Sequence, residues 1–246
     1  MSGAETLSGR VSDAERNQKH PTMRPRDAAS LIVYDPDGPR VLMGRRSMRH
    51  TFMPGRYVFP GGRVDATDAR VPVASSFHED THRQLAAHAG ARHRPARARA
   101  FGIAALRETF EETGVLIARP QADAVPRSKP FAGFAERGLS LDLSRLAFIA
   151  RAVTPPGRPR RYDTRFFLAW RDTIADIDPA VVGADAELED IAWVPIHEAK
   201  AMPLPAITLT VLDDLEHRLA EDPALQPGGS VPFYRWERTG FTRTIL

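Results

Sequence analysis

The sequence predicts an α/β fold in which a mixed β-sheet lies between helices. Strand-like and helix-like segments follow one another without the regular alternation that builds a doubly wound parallel sheet. One helix, at residues 99–113, has clear amphipathic periodicity and a stop signal at Gly114. With 246 residues, 42% of them hydrophobic, the chain can bury one substantial core.

The elements are placed by their apolar patterns and by the turn residues between them. The first hairpin follows from two apolar runs separated by the turn Asp35-Pro36-Asp37-Gly38-Pro39. Residues 1–25 are polar and aperiodic, so we expect a flexible arm followed by one domain at 26–246. The predicted strands are 28–34, 41–44, 57–59, 115–118, 146–153, 164–170 and 191–194, and the predicted helices are 79–88, 99–113, 196–201 and 207–220.

Composition excludes several classes of protein. The absence of cysteine excludes disulfides, thiolate metal sites and cysteine nucleophiles. The net charge is only +3 and acids are interspersed with bases, which does not favour a nucleic-acid partner. No stretch approaches the roughly 20 apolar residues that span a bilayer, and the first residues lack the apolar run of a signal peptide. We therefore expect a soluble cytoplasmic protein without a membrane partner.

The helix at 99–113 carries the strongest chemical signal. At 100° steps, Glu108, Glu111 and Glu112 fall within roughly 100° of one face. Carboxylates at these spacings repel one another, and a bound cation would turn this repulsion into attraction. Because every donor is an oxygen, the expected ion is Mg²⁺ or Mn²⁺, which points to phosphate chemistry.

The residues from Arg107 to Val115, RETFEETGV, closely resemble the second half of the Nudix box, REUxEExGU, where U is a bulky aliphatic residue. The earlier segment FPGGRVD at 59–65 resembles the glycine-rich first half. This resemblance implies a Nudix hydrolase with an α/β/α sandwich fold that cleaves diphosphate bonds. It also implies that Arg107 orients the glutamates and that a backbone carbonyl of Gly61 or Gly62 joins them as a metal ligand.

The sequence departs from the family pattern in three ways. Asp68 stands where the family has Glu, Thr109 takes a position that is usually aliphatic, and 38 residues separate Asp68 from Arg107 where the family has seven. The box is thus predicted to contain an insertion at about 69–99. A split box is also seen in the coenzyme A diphosphatase branch of the family, which the chain resembles over roughly residues 28–200. Its coenzyme A signature is matched in part, with Thr51 in place of Arg.

The branch resemblance makes coenzyme A or acyl-coenzyme A the leading substrate candidate, giving 3′,5′-ADP and 4′-phosphopantetheine. Arg46, Arg161 and Arg165 are then candidate partners of the 3′-phosphate. ADP-ribose, dinucleotides and nucleoside triphosphates remain alternative substrates, because the Nudix box indicates cleavage of a diphosphate bond but not which molecule carries it. A homodimer is a family expectation. Many Nudix enzymes use a further acidic residue from outside the box in their active site, and Glu187, Glu189 and Asp190 are the candidates for it here.

Two interpretations from other classes compete with a Nudix hydrolase. The segment His78-Glu79-Asp80-Thr81-His82 fits the HExxH pattern of zinc peptidases, in which two imidazoles on one helix face bind zinc and the Glu is the base. Asp80 is unusual for that pattern, and the motif lies within the arginine-rich insertion, which favours a solvated loop or a lid. The other alternative is a non-catalytic nucleotide-binding module, which the intact glutamates disfavour.

Overall fold

A computed structural model describes residues 3–11, 19–49, 53–87, 95–121, 128–183, 186–238 and 240–246. Its helices are α1 (Gly3–Arg10), α2 (Glu79–Ala86), α3 (Pro95–Thr113), α4 (Ala132–Glu136), α5 (Ile196–Ala199) and α6 (Ala206–Glu221). Its strands are β1 (Arg26–Asp35), β2 (Arg40–Arg46), β3 (Tyr57–Val58), β4 (Gly61–Arg63), β5 (Val115–Ile117), β6 (Arg119–Pro120), β7 (Leu139–Ser140), β8 (Ala147–Val153), β9 (Tyr162–Trp170), β10 (Ile174–Ile177), β11 (Leu188–Pro195), β12 (Pro232–Glu237) and β13 (Gly240–Ile245).

A nine-stranded mixed sheet forms the centre of the molecule. Seven strands follow the order β11-β2-β1-β9-β8-β12-β13, while β3 pairs with β2 and β4 pairs with β1. The β1–β9 and β8–β12 pairs are parallel, and the other pairs in this sheet are antiparallel. Two small sheets, β5–β10 and β6–β7, lie apart from it. The predicted mixed sheet is therefore confirmed.

The central strand β1 divides the core between the two faces of the sheet. Leu31 and Val33 belong to the cluster that contains the buried residues of α3. Ile32 and Tyr34 belong to the cluster that contains the buried residues of α6. Because successive strand residues point to opposite faces, a segment covered on both faces is apolar at successive positions, as β1 is from Leu31 to Tyr34. The result is the α/β/α sandwich.

The N-terminal residues differ from the flexible arm that we expect at 1–25. Residues 3–10 form helix α1, which contacts α6 and β13, and Leu7 is 1% exposed. An eight-residue helix has little stability of its own, so α1 depends on this tertiary packing, which the polar sequence does not reveal. Residues 1–2 and 12–18 of the predicted arm lie outside the described residues.

The segment at 69–99 packs against the body of the protein. Val71, Phe77 and Leu85 join the core cluster on the α3 side, and the ring of Phe77 stacks on Phe167 at 5.3 Å between centroids. Helix α3 begins at Pro95, four residues before its predicted start. Residues 88–94 lie outside the described part of the chain. In the described ranges, no helix is both long and apolar enough to cross a membrane.

Strands β8 and β9 are linked by an internal ion-pair network. Asp163 accepts two hydrogen bonds from Arg151, at 2.9 and 2.8 Å, and lies 3.0 Å from Nη1 of Arg165. Arg165 is 3% exposed, and its guanidinium lies 3.9 Å from the ring centroid of Phe101. Burial alone would raise the pKa of Asp163, but the two arginines lower it below its usual value.

We predict that Asp163→Asn lowers the free energy of unfolding by about 3–5 kcal/mol, because two buried guanidinium groups lose their carboxylate. The matched control is Asp172→Asn, which breaks an exposed pair with Arg145 and should cost about 0–1 kcal/mol. The measurement is urea unfolding of both variants. Equal losses in the two variants would contradict the buried network.

The contribution of Asp163 should also depend on pH. Since its pKa is lower in the folded chain than in the unfolded chain, its stabilising effect is present above the unfolded value of about 4 and is lost as the pH falls through the folded value. The difference in stability between the natural chain and Asp163→Asn should therefore shrink below about pH 4. A difference that stays constant down to pH 2 would contradict this assignment.

Candidate active site

The C-terminal half of α3 brings its glutamates against the short strand β4. The helix ends at Gly114, where φ is +73° and where a Cβ atom would lie 2.2 Å from the carbonyl oxygen of Asp178. The N–H of Gly114 donates to the carbonyl of Phe110 at 2.8 Å. A residue with a side chain would strain this turn, so the predicted stop has a steric cause.

Gly61 and Gly62 allow β4 to approach both its neighbouring strand and the glutamates. The N–H of Gly61 donates to Oε2 of Glu112 at 2.8 Å. A Cβ atom on Gly61 would lie 2.4 Å from the carbonyl oxygen of Ala29, and one on Gly62 would lie 2.3 Å from Cδ of Glu108. The two glycines are therefore required by close packing of backbone and carboxylates as well as by the turn.

Arg107 ties the glutamates to the segment that follows β4. Its Nη1 donates to Oε1 of Glu108 and to Oε2 of Glu111, both at 2.9 Å. Its Nε and Nη2 donate to the two carboxylate oxygens of Asp68 at 3.0 and 3.1 Å, and Nη2 also donates to the carbonyl of Arg63. Burial would lower the pKa of Arg107, but Asp68 and the glutamates raise it, so the guanidinium stays charged.

Asp68 was recognised in the sequence only as a departure from the family pattern. In the structure its side chain is fully buried, and besides binding Arg107 it accepts a hydrogen bond from the N–H of Asp65 at 2.8 Å. The signal in the sequence was its spacing, with five residues between Gly62 and Asp68. Although Asp68 is shorter than the Glu of the family pattern, it still provides an acidic partner for Arg107, from which it is separated by 38 residues in the sequence.

The partly buried Glu108 and the buried Glu112 both have raised pKa values. Burial raises the pKa of Glu108 to about 7, although the neighbouring Arg107 acts to lower it. Burial raises the pKa of Glu112 well above its usual range; the Gly61 N–H opposes this rise, while the charges of Glu187 and Glu108 add to it. Glu111 differs from both, since its side chain is 38% exposed.

Of the three acids considered outside the box, the structure brings Glu187 to this site. Glu187 lies close enough to raise the pKa of Glu108 and of Glu112, and it forms an ion pair with Arg46. Glu189 and Asp190 instead form ion pairs with Arg45, at 3.1 and 2.7 Å. Asp190 has a φ of +50° and lies in a register shift between β11 and β2, which the sequence did not predict.

Glu108 borders a large cleft with a volume of about 1230 Å³. Gly61, Gly62, Glu108 and Glu187 line it together with many arginines, which are Arg24, Arg26, Arg46, Arg56, Arg63, Arg158, Arg160 and Arg161. A concave surface with these basic side chains favours a ligand with several negative charges.

The three arginines proposed for substrate binding have different environments. Arg46 lines the cleft and pairs with Glu187. Arg161 also lines the cleft, but its guanidinium donates to the carbonyls of Thr154 and Met23 at 3.0 and 2.6 Å. Arg165 does not line it, because the buried pair with Asp163 holds its side chain inside the fold. Arg165 is therefore corrected from a substrate ligand to a structural residue.

The two histidines of the HExxH pattern make separate local contacts. Nδ1 of His78 accepts a hydrogen bond from the N–H of Asp80 at 3.3 Å at the start of α2. Nε2 of His82 lies 2.9 Å from Oγ of Ser76. Neither residue lines the cleft, and the described part of the segment at 69–99 contributes no residue to it.

The donors around Glu108 and Glu112 fit a hard divalent cation in their chemistry. All are oxygens, and they include buried carboxylates that repel one another, so a cation would remove an electrostatic cost. Within the described ranges, no three His, Asp or Glu side chains already converge to enclose an ion. Arg107 holds Glu108 and Glu111, and Gly61 holds Glu112, so the carboxylates must shift to share one ion.

The fold and the site together define a Nudix domain. The sequence profile of the NUDT19 Nudix domain matches residues 22–146, slightly more than half of the chain. The chain therefore belongs to the Nudix superfamily, and within it to the NUDT19 Nudix family.

Two individual proteins show the same relationship. The chain is 29% identical over 183 residues to a Caenorhabditis elegans protein that bears the name nudix hydrolase 7; this match covers 69% of the chain and 51% of the relative, so the chain spans about half the relative's length. The crystal structure of a NUDIX hydrolase from Alicyclobacillus acidocaldarius is similar with a TM-score of 0.58 and 28% identity, covering 78% of this chain and 90% of that chain.

We predict that the Arg107–Asp68 pair behaves as a buried ion pair. Arg107→Met should lower the free energy of unfolding by about 3–5 kcal/mol, because it leaves the carboxylate of Asp68 buried without a cation. Adding Asp68→Asn to that variant should restore at least about 1 kcal/mol, since it removes the unpaired charge. In the natural chain, Asp68→Asn alone should destabilise. The measurement is a double-mutant cycle by chemical unfolding, and strictly additive losses would contradict the pair.

Proposed function

We propose that this protein hydrolyses a diphosphate bond in a nucleoside-diphosphate-linked substrate, using Mg²⁺ or Mn²⁺. The observation that carries the proposal is the pair of carboxylates packed against Gly61 and Gly62: Glu108, which lines an arginine-lined cleft, and the buried Glu112 behind the N–H of Gly61. Burial raises the pKa of both acids, and groups with perturbed pKa values concentrate at functional sites. Membership in the Nudix family supports the same activity.

The proposed metal ligands are Glu108, Glu111 and Glu112, with a backbone carbonyl of Gly61 or Gly62. When bound, the ion would neutralise phosphate charge and make a coordinated water more acidic. Arg107 would hold Glu108 and Glu111 in place through the hydrogen bonds described above. Asp68 would keep Arg107 itself fixed, so the orientation of the ligands depends on a residue that does not face the cleft.

We assign the role of proton acceptor to Glu187. This carboxylate lines the cleft together with Glu108, and its charge acts on Glu112, which supports a role in accepting the proton of an attacking water. Its ion pair with Arg46 would hold it in place. Arg46 and Arg161 are the proposed phosphate partners from the sequence; of these, Arg46 lies nearer to the acids, since its charge acts on Glu112.

Coenzyme A or an acyl-coenzyme A is the leading substrate candidate. The resemblance to the coenzyme A diphosphatase branch and the number of arginines in the cleft support it, because coenzyme A carries a 3′-phosphate in addition to its diphosphate. ADP-ribose, dinucleotides and nucleoside triphosphates contain the same phosphoanhydride bond and serve as the alternatives. Residue Thr51, at which the coenzyme A signature departs, lies outside the described residues.

The proposal predicts metal-dependent hydrolysis that requires the buried glutamates. Product release is measured from coenzyme A, acyl-coenzyme A, ADP-ribose, NADH, diadenosine polyphosphates and nucleoside triphosphates, with Mg²⁺, Mn²⁺ or EDTA. Glu112→Gln should lower kcat at least about 100-fold, while Glu237→Gln, on β12 and paired with Arg235, should leave it unchanged.

The substrate panel also separates the alternatives. Formation of 3′,5′-ADP from coenzyme A would support the finer assignment, and turnover of only another diphosphate would support the class alone. Binding of these nucleotides without any turnover in Mg²⁺ or Mn²⁺ would contradict the hydrolase and support the non-catalytic binding module.

A second pair of variants tests the assignment of the proton acceptor. Glu187→Gln should reduce kcat by about 100-fold with little change in KM, because the carboxylate acts on the attacking water. Glu189→Gln, two residues further along and paired with Arg45, should change kcat by less than about fivefold. Similar kcat values for the two variants would rule out Glu187 as the base.

A further inference from the structure

We infer that the hydroxyl groups of Ser30 and Thr164 form a ribose-binding site in the floor of the cleft, and that they select a substrate with a 2′-hydroxyl. Both residues line the cleft, Ser30 on β1 and Thr164 on β9. The inference rests on the proposed function for the position of the diphosphate. Every candidate substrate contains a ribose next to its phosphates, and coenzyme A keeps a 2′-hydroxyl beside its 3′-phosphate.

One face of the central sheet forms the floor of the cleft. Because alternate residues of a strand point to the same face, β1 presents three side chains here and its parallel neighbour β9 presents three more. All six line the cleft: Arg26, Ala28 and Ser30 on β1, and Tyr162, Thr164 and Phe166 on β9. Further along the same face of β1, Ile32 belongs to the core cluster of α6. The floor is therefore the part of this face that α6 leaves open to the cleft.

Ser30 interrupts the buried part of β1. It is partly exposed, whereas the other residues from Ala28 to Asp35 are buried. Within the described ranges, no protein group forms a hydrogen bond with its hydroxyl, and the same is true of the hydroxyl of Thr164. Thr154, which also lines the cleft, differs because its hydroxyl accepts a hydrogen bond from the N–H of Tyr162 at 3.1 Å. The hydroxyls of Ser30 and Thr164 are therefore available to a ligand.

This pair of hydroxyls lies beside the proposed metal site. Ser30 is opposite Gly61 in the pairing of β1 with β4, and a Cβ atom on Gly61 would lie 2.6 Å from the hydroxyl oxygen of Ser30. The N–H of Gly61 in turn binds Glu112. Thr164 lies on the side of β1 away from β4, one strand or about 5 Å further across the sheet. A group that contacts both hydroxyls is therefore the one that follows the diphosphate directly.

The spacing of the two residues suits a small ring with hydroxyl groups. Ser30 pairs with Phe166 in the parallel register, and Thr164 lies two residues earlier on β9. With strands about 4.8 Å apart and a rise of about 3.3 Å per residue, the Cα atoms of Ser30 and Thr164 are about 8 Å apart. Two hydroxyls that project from the same face at this separation can both reach the hydroxyl-bearing edge of one pentose.

The chemistry of the pair favours a sugar over a phosphate or an apolar group. Neutral hydroxyls bind a phosphate less strongly than the arginines that line the same cleft. An apolar group would remove water from both hydroxyls without replacing the lost hydrogen bonds. A ribose hydroxyl both donates and accepts, so it can pair with either side chain.

The test compares ADP with 2′-deoxy-ADP, which differ in one hydroxyl group. Their dissociation constants are measured by calorimetry in EDTA, so that neither metal binding nor turnover enters the result. The natural chain should bind ADP at least about tenfold more tightly. Ser30→Ala and Thr164→Val remove a hydroxyl with little change in shape, and each should reduce this preference to less than about threefold. Ser144→Ala is the control and should preserve it, because that hydroxyl binds Asp142 outside the cleft.

Three outcomes would overturn the ribose site. One is equal binding of the two ligands by the natural chain, and another is an unchanged preference in both cleft variants. The third is a loss of affinity for both ligands by the same factor, because the hydroxyl would then contact the phosphates. Loss of the preference in only one variant would overturn the joint role of Ser30 and Thr164.

Failure of the proposed hydrolase would give a different result. Turnover of the substrate panel in Mg²⁺ tests the hydrolase independently of the preference for ribose. A preference for ADP without turnover of any diphosphate would contradict the proposed function and leave the ribose site supported. Turnover by a chain that binds ADP and 2′-deoxy-ADP equally would do the opposite.

Discussion

The buried pair between Arg107 and Asp68 is the interaction on which the site depends. Asp68 follows β4, and Arg107 lies on α3, so the pair joins the two segments that carry the glycines and the glutamates. The same guanidinium holds Glu108 and Glu111. Without this pair, the long segment between the two halves would leave their relative position to weaker contacts. A buried pair is tolerated here because the guanidinium is bound on several sides.

The pair also explains how the fold accommodates a long segment between the halves of the site. The described part of that segment, 69–87, supplies Phe77 and Leu85 to the core on the α3 side. It therefore adds apolar area to the domain, which offsets the entropy of ordering a longer chain. The active-site halves meet as if they were adjacent in sequence, because α3 and β4 both pack on β1.

Acidic and basic side chains occupy different parts of the cleft wall. Glu108 and Glu187 lie in the lining next to the buried Glu112, and arginines line the rest of the walls. The arginines suit a ligand with several negative charges. Residues outside the matched Nudix segment, including Glu187, contribute to this lining.

Much of the site was accessible from the sequence because its chemistry depends on local spacing. The positions of Glu108, Glu111 and Glu112 on α3, and the stop at Gly114, follow from helix geometry and from the need for a residue that tolerates positive φ. The mixed sheet also followed from the order of apolar segments. The sequence did not reveal α1, because its stability comes from packing on α6 and β13.

Only the tertiary structure decided how distant polar residues are used. Arg165 is buried with Asp163, whereas Arg46 lines the cleft. Which of the many arginines takes which position depends on the register of the strands that carry them. The tertiary structure also brought Glu187 to the glutamates and turned Glu189 and Asp190 toward Arg45, through an irregular pairing of β11 with β2. The sequence by itself determined that three glutamates share one helix face beside Arg107, since their positions depend only on spacing within one helix. Long-range ion pairs and cleft walls depend on contacts between segments far apart in the chain, which no local pattern encodes.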